Sequence, residues 1–331
     1  MSALSLKRRE NMAAKRRSRR MRKSPIVVSF ILIILLACAC IFFYGDQLGL
    51  DIDLGNNKNE TPNSNSPTVS GEDAYFHFID VGQGDAILVT TKGGNMLIDS
   101  GDLGSDSRRA LVDHLEAQGV TSFKYAVFTH TDADHIGSSD YIVQNYDVEN
   151  VIMPDYVATT QVYKRLMSAI ESKGVNLILI GEDEELCEQS GYTFSLGSMV
   201  NTVMAPTEDF DDANEMSIVL KSSFGQVDVL LTGDAEERSE EAMLKLYRAG
   251  ELDCEILKVG HHGSSSSTTA SFLAAVSPEI AVISCGENNK YGHPHNSIVK
   301  RLEGGNIGIY RTDLLGTIII KTNGTSYEIV E

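Results

Sequence analysis

Thr129-His130-Thr131-Asp132-Ala133-Asp134-His135-Ile136-Gly137 sets two imidazoles and two carboxylates within the six positions 130–135. The apolar run Tyr125-Ala126-Val127-Phe128 leads into it and predicts a buried strand, so the polar groups emerge where a strand gives way to a loop. Neutral imidazole and carboxylate are ligand types that zinc and manganese accept. His130 and Asp132, at alternate positions, can share one ion while Asp134 and His135 turn toward a second.

Three further segments follow apparent strands. Leu230-Leu231-Thr232-Gly233-Asp234 releases a carboxylate after a buried run, and Lys258-Val259-Gly260-His261-His262-Gly263-Ser264 releases two imidazoles in the same way. Asn289-Lys290-Tyr291-Gly292-His293-Pro294-His295 is a turn-like loop with two more. Singly, each has an ordinary reading: a Gly-Asp after a strand is a turn, and a lone histidine is a hydrogen-bonded surface or core residue. Jointly they do not, because six of the eight histidines fall in these loops and only His77 and His114 lie elsewhere.

Around these loops, short apolar runs predict strands at 75–81, 86–90, 96–98, 125–128, 151–153 and 176–180. Apolar spacing nearer three and four predicts helices over 108–118 and 161–172, stopped by Gly119 and Gly174. The second half repeats the mixture, with strands at 217–224, 227–232, 256–259, 280–284, 307–311 and 317–322 and helices at 235–249, 269–276 and 297–302. Two strand-rich halves edged by helices predict one α/β (α+β) domain over 74–331, built of two sheets face to face with helices outside.

Charge is distributed very unevenly. The first 23 residues hold ten of the 28 Lys and Arg but one of the 46 Asp and Glu, leaving 18 bases against 45 acids and a net of −27 for the remainder. Residues 25–44 are 20 positions without a charge, about the ~20 that a membrane-spanning helix needs. The expected order is a basic cytoplasmic tail (1–24), one transmembrane helix (25–44), a flexible linker (45–73) rich in Asn, Ser and Pro, and the domain (74–331) outside the cytoplasmic membrane. A cleaved signal peptide is the alternative, since Ala37-Cys38-Ala39 resembles a small-residue cleavage site. Against it stand the long basic leader and the apolar Ile41-Phe42-Phe43-Tyr44 beyond both cysteines. Cys38 and Cys40 lie in the apolar run and Cys187, Cys254 and Cys285 beyond it, with no CxxC pair and so no disulfide framework. Export permits one bridge, which the spacing does not choose. A surface at net −27 excludes generic coating of nucleic acid, so a phosphodiester backbone has to be engaged through the metal site.

Together these segments resemble the metallo-β-lactamase-fold hydrolases, whose signature loop has the form His-x-His-x-Asp-His with a later Asp and His. They resemble most closely the extracellular nuclease-like domain of ComEC-type DNA-uptake (competence) proteins. The motifs are Phe78-Ile79-Asp80-Val81-Gly82-Gln83-Gly84-Asp85, Leu97-Ile98-Asp99-Ser100-Gly101, the 130–135 loop, Thr232-Gly233-Asp234, His261-His262-Gly263-Ser264, Tyr291-Gly292-His293-Pro294 and Tyr310-Arg311-Thr312-Asp313. Seven short motifs in the family's order cover nearly all of 74–331. The resemblance implies a four-layer αββα metallo-β-lactamase sandwich holding two divalent ions, zinc or manganese. It implies that His130 and Asp132 hold one ion, Asp134, His135 and His262 the other, and Asp234 bridges them, with His261 as the alternative to His262.

Asp132 stands where the broad superfamily has its second histidine, making the site more oxygen-rich and manganese as fitting as zinc. The superfamily's middle histidine has no counterpart in Asp209-Phe210-Asp211-Asp212-Ala213-Asn214. One of those acids could substitute. Asp99 is expected to accept hydrogen bonds from loop amides or a metal-binding histidine, and Asp80 to shape a hairpin. Asp85 is left between structural and substrate-lining roles.

The expected chemistry is in-line attack on a phosphodiester by hydroxide generated at neutral pH. Asp134 acts at the centre, and His293 or His295 stabilises the transition state or protonates the leaving oxygen. Hydroxyls of 264–269 could meet phosphate oxygens, or form an ordinary loop. The first reading is a membrane-anchored, outward-facing phosphodiesterase acting on DNA; one span cannot form the pore, and the sequence leaves open whether the chain works with a separate DNA-uptake channel protein or alone. The alternatives are a phosphorylcholine-type esterase of cell-wall phosphodiesters and a non-catalytic DNA-uptake binding component. β-Lactam hydrolysis belongs to a different branch.

Overall fold

Neighbouring residues in the central strands are buried on opposite faces, and this fixes the layering. The computed structural model describes residues 72–181 and 191–330. The first half forms β1 (Ala74–Phe78), β2 (Ile87–Thr91), β3 (Gly94–Ile98), α1 (Ser105–Ala117), β4 (Ser122–Val127), α2 (Ala133–Ile136), α3 (Ser139–Asn145), β5 (Asp147–Pro154), α4 (Gln161–Lys173) and β6 (Asn176–Ile180). The second half opens with β7 (Thr193–Leu196), β8 (Met199–Ala205), β9 (Val219–Phe224), β10 (Val227–Leu231), α5 (Glu237–Leu246) and β11 (Ile256–Lys258). It closes with α6 (Ala270–Val276), β12 (Ile280–Ile283), α7 (Asn296–Gly304), β13 (Gly308–Arg311), α8 (Thr312–Leu315), β14 (Ile318–Thr322) and β15 (Tyr327–Ile329).

One sheet has the order β15-β14-β1-β2-β3-β4-β5-β6 and the other β13-β12-β11-β10-β9-β8-β7. In β4, Val127 joins a core shared by both sheets while its neighbour Ala126 joins a second core with Leu111 and Leu115 of α1 and Leu166 of α4. On the far side, Leu230 and Ala281 pack with Met243 of α5, Phe272 of α6 and Ile298 of α7. Three apolar interfaces define four layers, helix, sheet, sheet and helix. Strands buried on both faces read as continuous apolar runs, which is why 125–128 and 280–284 stand out in the sequence.

The expected split into two successive halves needs one correction. β14 and β15, at the end of the chain, return to the first sheet, where β14 pairs antiparallel with β1 in the register Phe76↔Ile320. The alternation Ile318-Ile319-Ile320 supplies the reason: Ile318 and Ile320 enter the core between the sheets and extend the face begun by Phe76 and Phe78.

Parallel pairing concentrates loops at one edge. β3 and β4 run parallel with Ile98 opposite Val127. In the other sheet β10, β11 and β12 run parallel, with Leu231 opposite Lys258 and Lys258 opposite Val282. The residues that follow all of these strands therefore leave the sandwich at corresponding ends.

The basic tail, the 25–44 span, Cys187 and all but the last two residues of the 45–73 linker lie outside the described residues. Among the described residues no helix is long and apolar enough to cross a membrane. Cys254 and Cys285 are free thiols in the interior.

Candidate metal centre

Asp99 follows β3 directly and adopts a left-handed backbone (φ 59°), a conformation that costs a non-glycine residue about 1–2 kcal/mol. Three hydrogen bonds hold it there. Its carboxylate accepts from Thr129 N at 2.8 Å, from Thr129 Oγ1 at 2.7 Å and from His135 Nδ1 at 2.7 Å. Because a carboxylate cannot donate, the Thr129 hydroxyl proton is committed to Asp99, and His130 Nδ1, 3.2 Å from that hydroxyl, has to be the donor to it.

These bonds fix the tautomers. His130 and His135 both carry their proton on Nδ1, and His262 does the same, donating from Nδ1 to the Ser284 carbonyl at 3.0 Å. In the neutral rings all three Nε2 atoms are bare lone pairs. His135 Nε2 lies 3.3 Å from His262 Nε2 and 3.2 Å from Asp234 Oδ1. His262 Nε2 lies 3.4 Å from Asp134 Oδ2 and 3.5 Å from Asp234 Oδ2. His130 packs its ring 4.1 Å from that of His135, and its Nε2 is buried without a partner.

Acceptors thus face acceptors in a water-excluded space, which is stable only around a cation. In the metal-free protein that cation is a proton. Burial opposes charge on His135, but Asp234 and Asp99 hold its pKa well above the ordinary value. His262, likewise opposed by burial, is held at about 10 by Asp234 and Asp85. Burial and the neighbouring His135 depress His130 to about 3, leaving it neutral. Burial raises the pKa of Asp234, yet His135 and His262 outweigh it and hold the carboxyl well below the carboxylate range. A divalent cation at such a centre displaces the protons and uses the same lone pairs. The donor set fits zinc or manganese.

Four groups meet most tightly: ligand atoms of Asp85, His135, Asp234 and His262 all lie within 4.8 Å of one another, and all four residues are buried. Asp134 reaches His262 from the start of α2, and His130 stands behind His135. Asp132 is more peripheral, exposed at the N-cap of α2 and free of any capping hydrogen bond from its side chain. Partial enclosure of its carboxyl group beside the centre, together with the neighbouring Asp134, raises its pKa. His261 takes a different place from His262. Its Nε2 stands 3.6 Å from Asp234 Oδ2, while Nδ1 donates to Glu236 Oε1 at 2.7 Å. His262 is therefore the central imidazole of the pair, and His261 borders Asp234 from outside.

His293 lies over this cluster, its ring centroid 5.4 Å from His261 and 6.2 Å from His262. Its Nδ1 is buried without a partner, and burial together with the charges of His262 and His261 lowers its pKa to about 4. His295 stands one row back, where Nδ1 accepts from Ser265 N at 2.8 Å. Within 264–269 the Ser266 and Ser267 hydroxyls turn inward: Ser266 Oγ donates to Glu236 and Ser267 Oγ to the Gly260 carbonyl. In the 209–214 segment Asp211 pairs with Arg238 at 3.2 Å, and Asp212 accepts from Asn214 N at 2.9 Å. Asp80 accepts from Gly82 N at 3.1 Å, the hairpin role expected of it.

The superfamily's sequence pattern matches residues 79–188 and 212–287, under the description Metallo-beta-lactamase superfamily. The chain belongs to the metallo-beta-lactamase superfamily. Among curated proteins, ComE operon protein 3 of Bacillus subtilis (strain 168) is 30% identical over 269 residues, 76% of this chain and 33% of that one. Competence protein ComA of Neisseria gonorrhoeae is 30% identical over 243 residues, 72% of this chain and 31% of that one. The chain thus spans about a third of the length of these relatives. The crystal structure of the metallo-beta-lactamase fold protein YhfI from Bacillus subtilis aligns with a TM-score of 0.48 at 9% identity, covering 76% of this chain and 100% of that one. The superfamily match shows the family, and the gathered ligand atoms of Asp85, His135, Asp234 and His262 make its strand-edge site a candidate metal centre.

Three contributors to the centre have no settled role in the sequence: Asp85, open there between structure and substrate lining, Lys258 and Glu236. For Lys258 the signal was present: a charge between Leu257 and Val259, inside an otherwise buried run, demands a partner. Glu236 carried no such signal, since an acid two residues beyond a strand-end aspartate is usually solvated.

Proposed function

We propose that the chain is a metal-dependent phosphodiesterase that cleaves DNA, anchored to the cytoplasmic membrane by residues 25–44 and facing outward. One observation carries this reading: the Nε2 atoms of three imidazoles and the carboxylates of Asp134 and Asp234 gather at one strand edge, a set made only of acceptors once the imidazoles are neutral. His130, Asp132, Asp134, His135, Asp234 and His262 would hold two divalent ions, with His261 next in line. Bound there, the ions supply Lewis acidity toward a phosphoryl centre and a lowered water pKa.

The chain's own groups do the positioning. Asp99 holds the proton of His135 on Nδ1, and the Ser284 carbonyl does the same for His262, keeping both Nε2 atoms aimed inward. His293, neutral at physiological pH and unpartnered at Nδ1, is placed to donate a hydrogen bond to oxygen that gains charge in the transition state. His295 fixes the loop that carries it. Competence proteins among the relatives favour DNA as the phosphodiester and a DNA-uptake channel as the partner.

The test uses the full chain in mild detergent, incubated with manganese or zinc and either linear DNA or a chromogenic phosphodiester. Metal-dependent DNA cleavage, lost in an Asp134→Ala, His135→Ala variant, is the expected result. Turnover of the small ester alone turns the reading toward a cell-wall esterase, and DNA binding without cleavage under either ion turns it toward a binding component.

A further inference from the structure

Among the described residues Lys258 is the only lysine that the fold encloses completely, at 0% exposure. Its Nζ donates to the Val259 carbonyl at 2.9 Å and meets Asp85 Oδ2 at 2.9 Å. Asp85 is carried to this point by the 82–84 turn, which presses so closely on α2 that a Cβ on Gly84 would fall 2.3 Å from the Asp134 carbonyl oxygen. The other oxygen, Asp85 Oδ1, is buried, lacks a conventional hydrogen bond and faces His262 Nδ1 at 3.3 Å.

A buried ion pair of this kind is a poor stabiliser. Apolar side chains of similar volume generally do as well or better, so its presence beneath a charged centre asks for another reason. Distance alone would admit Asp85 as a metal ligand. Its two oxygens argue otherwise, because one is engaged by an ammonium and the other meets the protonated nitrogen of His262. The inner face of that ring, Nε2, is left to the centre.

Resting on the metal reading above, we infer that Lys258 and Asp85 form a buried positioning pair. Asp85 sets its negative charge against the Nδ1–H that His262 donates to the Ser284 carbonyl and so fixes the ring, while Lys258 occupies Asp85 and keeps it out of the ligand set. The pair thereby sets how tightly the second ion is held without touching it.

The experiment compares the full chain with Asp85→Asn, Lys258→Met and the double variant, titrated with manganese(II) or zinc(II) chloride against a competing chelator. Melting of each metal-free protein is followed in parallel. Either single change leaves a buried charge or dipole without its partner and lowers the melting temperature. The double change removes both charges and melts near the parent. In that folded double variant the expected result is an affinity about 10–100-fold weaker at unchanged ion stoichiometry, the usual effect of losing the partner of a ligating histidine. Parental affinity in the double variant overturns the inference, as does loss of one whole ion equivalent, which would make Asp85 a ligand. If the parent itself binds neither ion, the metal reading fails first and the pair's role falls with it.

Discussion

Asp99 organises the centre, since its carboxylate accepts from Thr129 and His135 and thereby dictates the tautomers of His130 and His135. Asp99→Asn keeps the shape but offers an amide where Nδ1–H needs an acceptor. Metal affinity measured by chelator competition is expected to fall about 10–100-fold, with folding retained. His293 predicts a different pattern. Truncation to alanine removes a hydrogen-bond donor aimed at the reacting group, so kcat for DNA cleavage should drop about 10²–10³-fold with KM little changed. Equal loss in kcat/KM from KM alone would assign His293 to substrate binding instead. Gly84 joins these by geometry, because its φ of 123° and the Asp134 carbonyl 2.3 Å from any added Cβ leave no room for a side chain. Gly84→Ala should lower unfolding stability by at least about 1–3 kcal/mol in denaturant titrations.

Helix α5 and the loop after His262 are joined through Glu240, buried at 2% exposure, whose two oxygens accept from Thr268 N and Thr269 N. Burial pushes its carboxyl up to about 7 from an ordinary 4.5. Between those values the folded protein keeps a proton that the unfolded chain has lost. Stability linked to Glu240 is therefore full below about pH 4.5 and declines as pH rises to about 7, by up to about 3 kcal/mol. Urea midpoints of the metal-free parent and a Glu240→Gln variant, compared from pH 5 to 7.5, should show the parent losing stability relative to the variant. Parallel curves would show that the proton is not there. The elements were most legible where both faces are buried: the apolar run 280–284 contains β12, the run 125–128 covers the last three residues of β4, and 227–232 contains β10 although Asp228 interrupts its apolar residues. β7 and β8 give no legible signal because Thr193, Ser195, Asn201 and Thr202 break up their apolar residues. The short helix α3 was hidden by its polar content, Ser139, Asp140, Gln144 and Asn145. The candidate ligands were legible because histidine is scarce and crowds into three loops, whereas Asp85 and Lys258 acquire meaning only when a turn from one sheet meets a strand of the other.

Net charge governs how the protein meets a polyanion. Residues 24–331 carry 18 bases against 45 acids, so on the proposed reading long DNA meets a repelling surface everywhere but at the centre that would hold the cations. Proteins that grip DNA through basic grooves lose affinity steeply with salt. Here, raising monovalent salt from about 20 to 200 mM should leave kcat/KM on long DNA level or raise it, because screening weakens repulsion. A steep fall would reveal a basic track for DNA. With the 25–44 span as anchor, the full chain should sediment with membranes and resist extraction by salt, and its domain should be open to protease added outside intact cells. All of this depends on what lies between His135 and His262. Crystals soaked in manganese or zinc and measured at that metal's absorption edge address it directly. The expected result is anomalous density within about 2.0–2.2 Å of His135 Nε2, His262 Nε2 and an oxygen of Asp234. A centre that stays free of anomalous density at millimolar metal, with the two imidazoles still in contact, would contradict it.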